Sequence, residues 1–167
     1  MNPAKLTAYT VDLVAFAEDL LVPSPAGPVR FGTIMAPFQR EALEALSPSL
    51  LAVARGKTPR RARFAFVWSK GCGKDSLLAL AMIWLAAFAK LPRFGQCGAA
   101  DRDQAAELIK AARGWLNLNP WLSERVEILA WRIVCEDTKT EVEIMAADLA
   151  GSHGSRPDVL IINELHA

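Results

Sequence analysis

The sequence predicts an α/β fold: a parallel sheet with helices on its faces, in three layers, with a β-hairpin near its end. Three observations carry this. Short apolar runs at residues 64–68, 94–100 and 159–162 alternate with longer segments of helical period. The first run leads through Gly71-Cys72-Gly73-Lys74 into a long apolar segment, the order strand, glycine loop, helix. The last run ends in the polar pair Asn163-Glu164, at the carboxyl end where sheets of this class place their ligands. A chain of 167 residues is long enough for one domain with a real core.

Taken in order, residues 4–21 predict an amphipathic helix, with Leu6, Tyr9, Leu13, Phe16, Ala17 and Leu20 on one face. Pro23, Pro25, Gly27 and Pro28 then break the chain into an extended linker. A second helix starts near Pro37, a good first-turn residue, is interrupted at Pro48, and resumes to about Ala54, where Gly56 and Pro59 end it. Residues 1–30 thus read as an N-terminal helix and linker, and 31–167 as the α/β domain. After the strand at 64–68 and the glycine loop, residues 74–90 form a helix that is apolar nearly all round, hence buried on most faces. A buried strand follows at 94–100. Asp101 caps the next helix, with Gln104 three places on in a capping-box pattern. That helix turns Ala105, Leu108, Ile109, Ala112, Trp115 and Leu116 to the core and ends at Asn117, Asn119 and Pro120. Residues 131–136 and 141–145 flank Asp137-Thr138-Lys139-Thr140 as a hairpin. Residues 151–157 form a loop into the last strand.

The glycine loop carries the first chemical signal. Glycines permit positive φ and leave no Cβ between backbone and ligand, so backbone N–H groups converge on phosphate oxygens at a helix N-terminus. Ser69, Lys70, Gly71, Cys72, Gly73, Lys74, Asp75 and Ser76 are the candidate phosphate-binding residues, with Lys74 reaching the β- and γ-phosphates. Two positions depart from the full phosphate-loop pattern: Trp68 stands where its first glycine falls, and Asp75 where it has Ser or Thr. An ordinary strand-to-helix turn with a solvated lysine is the alternative reading.

Asn163-Glu164 carries the second signal. In nucleotide hydrolases with such a loop, this strand end holds the magnesium ligand and the catalytic base. Glu164 is in place to polarise an attacking water; Asn163 is a neutral amide where a carboxylate is usual. The alternative is a strand end followed by a helix start, with both residues solvated. Upstream, the Gln39 amide can pair with an adenine edge and Phe38 can stack on the ring; an exposed polar pair at a helix start fits equally.

Composition excludes several classes. A net charge of +1 gives no global polyanion signature. Arg55, Lys57, Arg60, Arg61 and Arg63 cluster, which reads as a solvated loop, with nucleic-acid contact the alternative. Cys72, Cys97 and Cys135 lack metal spacing and indicate a reducing compartment without a disulfide framework. The longest apolar run, 77–89, is too short to span a bilayer, and the N-terminus does not read as a signal peptide.

Together, Pro37-Phe38-Gln39-Arg40, Ser69-Lys70-Gly71-Cys72-Gly73-Lys74, Ala99-Ala100-Asp101-Arg102-Asp103-Gln104-Ala105, and Gly154-Ser155-Arg156-Pro157 running into Ile161-Ile162-Asn163-Glu164-Leu165-His166-Ala167 resemble the ATPase domain of the terminase large subunit of tailed bacteriophages. The resemblance spans roughly residues 30–167. It implies a RecA-like P-loop NTPase fold and an ATPase that drives double-stranded DNA into a capsid. ATP and Mg²⁺ are its implied cofactors. Phe38, Gln39 and residues 69–76 would bind ATP, Asp75, Ser76 and Asn163 the metal, and Lys74 and Glu164 would be catalytic. It further implies a small-subunit and portal partner, a homo-oligomeric ring, the cytoplasm of an infected bacterium, and a C-terminal nuclease domain that lies outside this sequence. In such folds a further strand separates the phosphate-loop strand from the hydrolysis strand. The sequence therefore reads as stopping after the hydrolysis strand, with a gap beside the first strand and a tendency to fold weakly or aggregate alone. A helicase-like ATPase shares Gln39, Lys74 and Glu164. A degenerate, non-hydrolysing binding module fits Asn163.

Overall fold

The computed structural model describes residues 2–146 and 156–163. In chain order the elements are α1 (Pro3–Tyr9), α2 (Leu13–Asp19), β1 (Leu21–Val22), β2 (Val29–Arg30), α3 (Phe31–Ile34), α4 (Pro37–Ala54), α5 (Lys74–Phe88), β3 (Phe94–Ala99), α6 (Arg102–Leu118), α7 (Pro120–Ser123), β4 (Glu127–Ile128), β5 (Arg132–Cys135), β6 (Thr140–Ala146) and β7 (Val159–Asn163). The main sheet runs β4-β5-β6-β3-β7. β3 is parallel to both β6 and β7, while β5 is antiparallel to both of its neighbours, β4 and β6.

The expected N-terminal helix is two helices. Asp12 adopts an extended conformation, and its carboxylate accepts the Ala15 N–H at 2.9 Å, starting α2 afresh. Such a cap contributes about 1 kcal/mol, enough to break a helix whose apolar face continues through the break. Nor is the stretch after it a plain linker, because β1 and β2 close a small antiparallel hairpin. α4 is also continuous through Pro48, contrary to the expected interruption. Proline costs a helical hydrogen bond, but Leu43 before it and Leu50 after it are both buried, so packing holds one helix axis. Gly56, at φ 73°, ends α4: its N–H and that of Lys57 bond back to the carbonyls of Val53 and Ala52.

α5 is the central helix, buried from Ala79 to Ala89 on all sides. It packs against α6, β5 and β6, and against α2 and α4. Tyr9, Phe16, Phe88 and Trp121 form an edge-to-face and stacked aromatic cluster beside it. The indole N–H of Trp84 donates to the Tyr9 carbonyl at 2.8 Å, tying α5 to the N-terminal helices. α5 and α6 lie together on one face of the sheet, over Ile133, Val142, Ile144 and Cys97. The other face carries Glu141 and Glu143 half-buried, Leu160 exposed, and Gln96 bonded to Glu143. The described residues thus show two of the three expected layers.

Two strand expectations need correction. Residues 64–68 form no strand, and Val67 is 96% exposed. β7 is not a buried strand either: it pairs only with β3 among the described residues, and Leu160 and Ile162 are exposed. One cause accounts for both. A strand needs a hydrogen-bonded neighbour, and neither the 64–68 run nor the outer edge of β7 has one among the described residues.

Candidate functional site

Two glycines shape the loop that opens α5. Gly71 has φ 86° and Gly73 φ 76°, conformations that side chains rarely adopt. Gly73 precedes the first helical residue, Lys74, and no side chain among the described residues caps the helix there. Ser69, Lys70 and Gly71 are exposed; Cys72 to Ser76 are half-buried. The Cys72 N–H turns back on the Ser69 carbonyl at 3.4 Å.

Three side chains from elsewhere hold this segment. Gln39, on the first turn of α4, donates from Nε2 to the Cys72 carbonyl at 3.0 Å and accepts the Ala36 N–H on Oε1 at 3.0 Å. Trp115 of α6 donates its indole N–H to the Ser76 carbonyl at 2.8 Å. Asn163, the last residue of β7, donates from Nδ2 to Asp75 Oδ1 at 2.8 Å. Asn163 shares the inward-facing register of Val159 and Ile161 and is 2% exposed. Its Oδ1 is buried without a hydrogen-bond partner. Beneath Asp75, burial pushes the Cys97 thiol up to about 12, and the Asp75 charge adds to the shift, so Cys97 is a neutral, inert floor.

The predicted residues therefore separate. The structure brings Gln39, Cys72, Gly73, Asp75, Ser76 and Asn163 into one neighbourhood. Phe38 lies edge-on to Trp68 at 5.1 Å, in a ladder that continues to Phe66 and Phe64. Glu164 lies outside the described residues, as does the 151–155 part of the preceding loop. Sequence reasoning missed Trp115, which it read as a core position, and missed that the Gln39 amide serves the loop itself. Neither partner, 39 and 33 residues away respectively, leaves a local signal.

Two oxygen groups meet at the Asp75–Asn163 contact, the Asp75 carboxylate and the unpartnered Asn163 Oδ1, and Ser76 follows Asp75 in α5. These groups fit a hard divalent cation such as Mg²⁺. Among the described residues no group of three or more His, Cys, Asp or Glu side chains could hold a metal, so such an ion would need further oxygens from a ligand. All three cysteines are free, Cys97 and Cys135 buried. Among the described residues no helix is long and apolar enough to cross a membrane.

The sheet order, the parallel pairing of β3 with β6 and β7, and the helix that starts at the glycine loop make this a mixed α/β domain. A solved structure similar to this chain is the crystal structure of the HK97 bacteriophage large terminase, with a TM-score of 0.69 over 92% of this chain at 22% identity. This chain spans 30% of the length of that protein. At that identity the likeness speaks to the fold. No protein-family model and no curated protein matches the sequence.

Proposed function

We propose that this chain is a nucleotide-hydrolysing motor part related to phage large terminases, in which ATP hydrolysis drives double-stranded DNA movement. One observation carries the reading: the strand-end residue Asn163 meets the helix-start residue Asp75 at the mouth of a two-glycine loop. A phosphate loop and a hydrolysis strand require that meeting, and a plain strand-to-helix turn does not. The fold likeness to a large terminase supports it.

In this reading the loop N–H groups and Lys74 receive the β- and γ-phosphates. Asp75, Ser76 and Asn163 hold Mg²⁺, which neutralises phosphate charge when bound. Glu164 polarises the attacking water. Small-subunit and portal partners, a ring assembly and a location in the infected cell belong to the same proposal. Lys74→Ala tests it: DNA-stimulated ATP hydrolysis should disappear while the fold, followed by circular dichroism, stays intact. Near-normal turnover in the folded variant overturns the phosphate-loop assignment. One observation favours a second reading, a module that binds nucleotide without hydrolysing it: the strand end presents a neutral amide already bonded to Asp75. Tight ATP binding with no turnover in the parent chain selects that reading.

A further inference from the structure

The basic run at residues 55–63 lies at the far end of the sheet from the glycine loop. β3 and β7 run parallel, with Asn163 beside the loop at one end and Arg93 and Asp158 at the other. There the turn after α4 meets the starts of both strands around a cleft of about 250 Å³, lined by Gly56, Lys57, Thr58, Arg93 and Asp158 among others. We propose that this end of the molecule is a nucleic-acid interface: the phosphate backbone of a DNA duplex lies across residues 55–63, with one phosphate seated in the cleft. The inference deepens the motor reading, on which it rests, by giving the DNA a place on this chain.

Local charge leads there. Arg55, Lys57, Arg60, Arg61 and Arg63 fall within nine residues that contain no acidic residue, and all five are exposed. No carboxylate among the described residues pairs with any of them. Lys90 joins them, since its N–H bonds to the Ala54 carbonyl at 2.8 Å. The whole chain has a net charge of only +1, so this excess is local. The carbonyls at the end of α4 favour nearby cations, which accounts for Arg55 and Lys57. That effect fades within one turn and does not account for Arg60, Arg61 and Arg63. A row of anions relieves the repulsion within such a run, and duplex DNA presents one charge per about 1.7 Å of its axis.

The cleft adds a shaped seat. Arg93 gives one N–H to Asp158 at 3.1 Å, and its Nε is buried without an acceptor among the described residues. Asp158 also accepts the Phe94 N–H at 2.9 Å, so its charge is already engaged. Gly56 has φ 73°, and a Cβ there would come within 2.7 Å of Arg93 Nη2. Only glycine lets the guanidinium pack this close to the turn that carries Lys57 and Thr58. An ammonium, a hydroxyl and a guanidinium are donors that a backbone phosphate takes. The cleft is smaller than the sites that enclose drug-sized ligands. No aromatic ring lines it, so it offers single-stranded bases nothing to stack on.

Fluorescence anisotropy of a labelled DNA duplex, titrated with the 167-residue chain in the absence of nucleotide, tests this. The parent should bind with an affinity that falls as salt rises from roughly 50 to 200 mM. Arg60→Gln, Arg61→Gln and Arg63→Gln together should weaken binding tenfold or more. They should also flatten the log–log salt slope by roughly 0.9 per lost phosphate contact. Lys57→Gln alone, in the cleft, should weaken binding a few fold. Lys110→Gln, Arg113→Gln and Lys139→Gln together remove the same charge from exposed sites elsewhere and should leave binding within twofold. Equal weakening by the two triple variants, or no salt-dependent binding by the parent, overturns the interface. A parent that binds inorganic phosphate in calorimetry but ignores the duplex makes the cleft a free-anion site and overturns it too. No nucleotide is present, so these failures leave the phosphate-loop reading standing, and failure of that reading shows only in the Lys74→Ala assay.

Discussion

The Asn163 side-chain amide donates a 2.8 Å hydrogen bond to the Asp75 carboxylate, joining positions 88 residues apart. Asp75, one of the departures from the phosphate-loop pattern, is thus in direct contact with Asn163, the neutral amide where the strand end usually carries a carboxylate. A carboxylate has moved to the helix start and an amide to the strand, so the net charge between them is that of the usual hydroxyl–carboxylate pair.

The first prediction follows from that exchange. Asp75→Ser should raise the magnesium concentration needed for nucleotide binding, and Asp75→Ser combined with Asn163→Asp should restore it. Asn163→Asp alone places two carboxylates within hydrogen-bond reach, which raises the folded-state pKa of the pair above its unfolded value. A raised carboxylate pKa contributes stability only at acid pH, lost as pH rises through the folded value. The single variant should therefore match the parent near pH 4 and fall behind by about 2 kcal/mol at pH 7. Denaturant melts at the two pH values check this, and equal stability of Asn163→Asp and parent at pH 7 would sink the idea.

Gln39→Ala should weaken ATP and GTP binding by the same factor. The sequence alone suggests that Gln39 reads the adenine edge; with its amide engaged by Ala36 and Cys72, its loss loosens the loop for any nucleotide. A change in the ATP-to-GTP ratio would return Gln39 to base reading.

Glu164→Gln should keep nucleotide binding and slow hydrolysis about a hundredfold or more, since the amide keeps the shape but cannot act as a base. Binding lost alongside turnover would make Glu164 a ligand-holding residue.

The N-terminal helices give a stability test. Tyr9 donates to Asp19 at 2.8 Å, and Lys5 does so at 2.7 Å. The Lys5 hydrogen bond, foremost, holds the Asp19 carboxyl below its usual range. The stability this contributes is present above the unfolded value of 3.8 and is lost as pH falls through the lower folded value. Tyr9→Phe should cost about 1–2 kcal/mol at neutral pH. That deficit should shrink in strong acid, as chemical denaturation across pH can show.

Much of this was legible from sequence where one element supplies its own signal. The α6 face from Ala105 to Leu116 is buried as its spacing predicts, and Asp101 caps the helix by accepting the Gln104 N–H. The two loop glycines take the positive φ that their chemistry invites. What stayed hidden depends on distant partners. The 64–68 run has strand composition, but a strand exists only with a neighbour to bond. Apolar periodicity runs through Asp12 unbroken, and only the local cap reveals two helices. The basic cleft is assembled from the end of α4 and the residues just before β3 and β7, which only the fold brings together.

Asn119, 3% exposed, holds β1 to the end of α6 with one amide. Its Oδ1 accepts the Leu21 N–H, and its Nδ2 donates to the carbonyls of Leu21 and Trp115. Leu13, Phe16 and Leu20 are sunk in the core just before it. The turn that follows, closed by Ser24 on Gly27, exposes Pro25 and Ala26 to the solvent. A protease that nicks this turn cuts the chain without dividing the molecule. The first two dozen residues stay clamped by buried hydrocarbon and that amide, so the nicked protein elutes as one particle and separates into two peptides only once denatured.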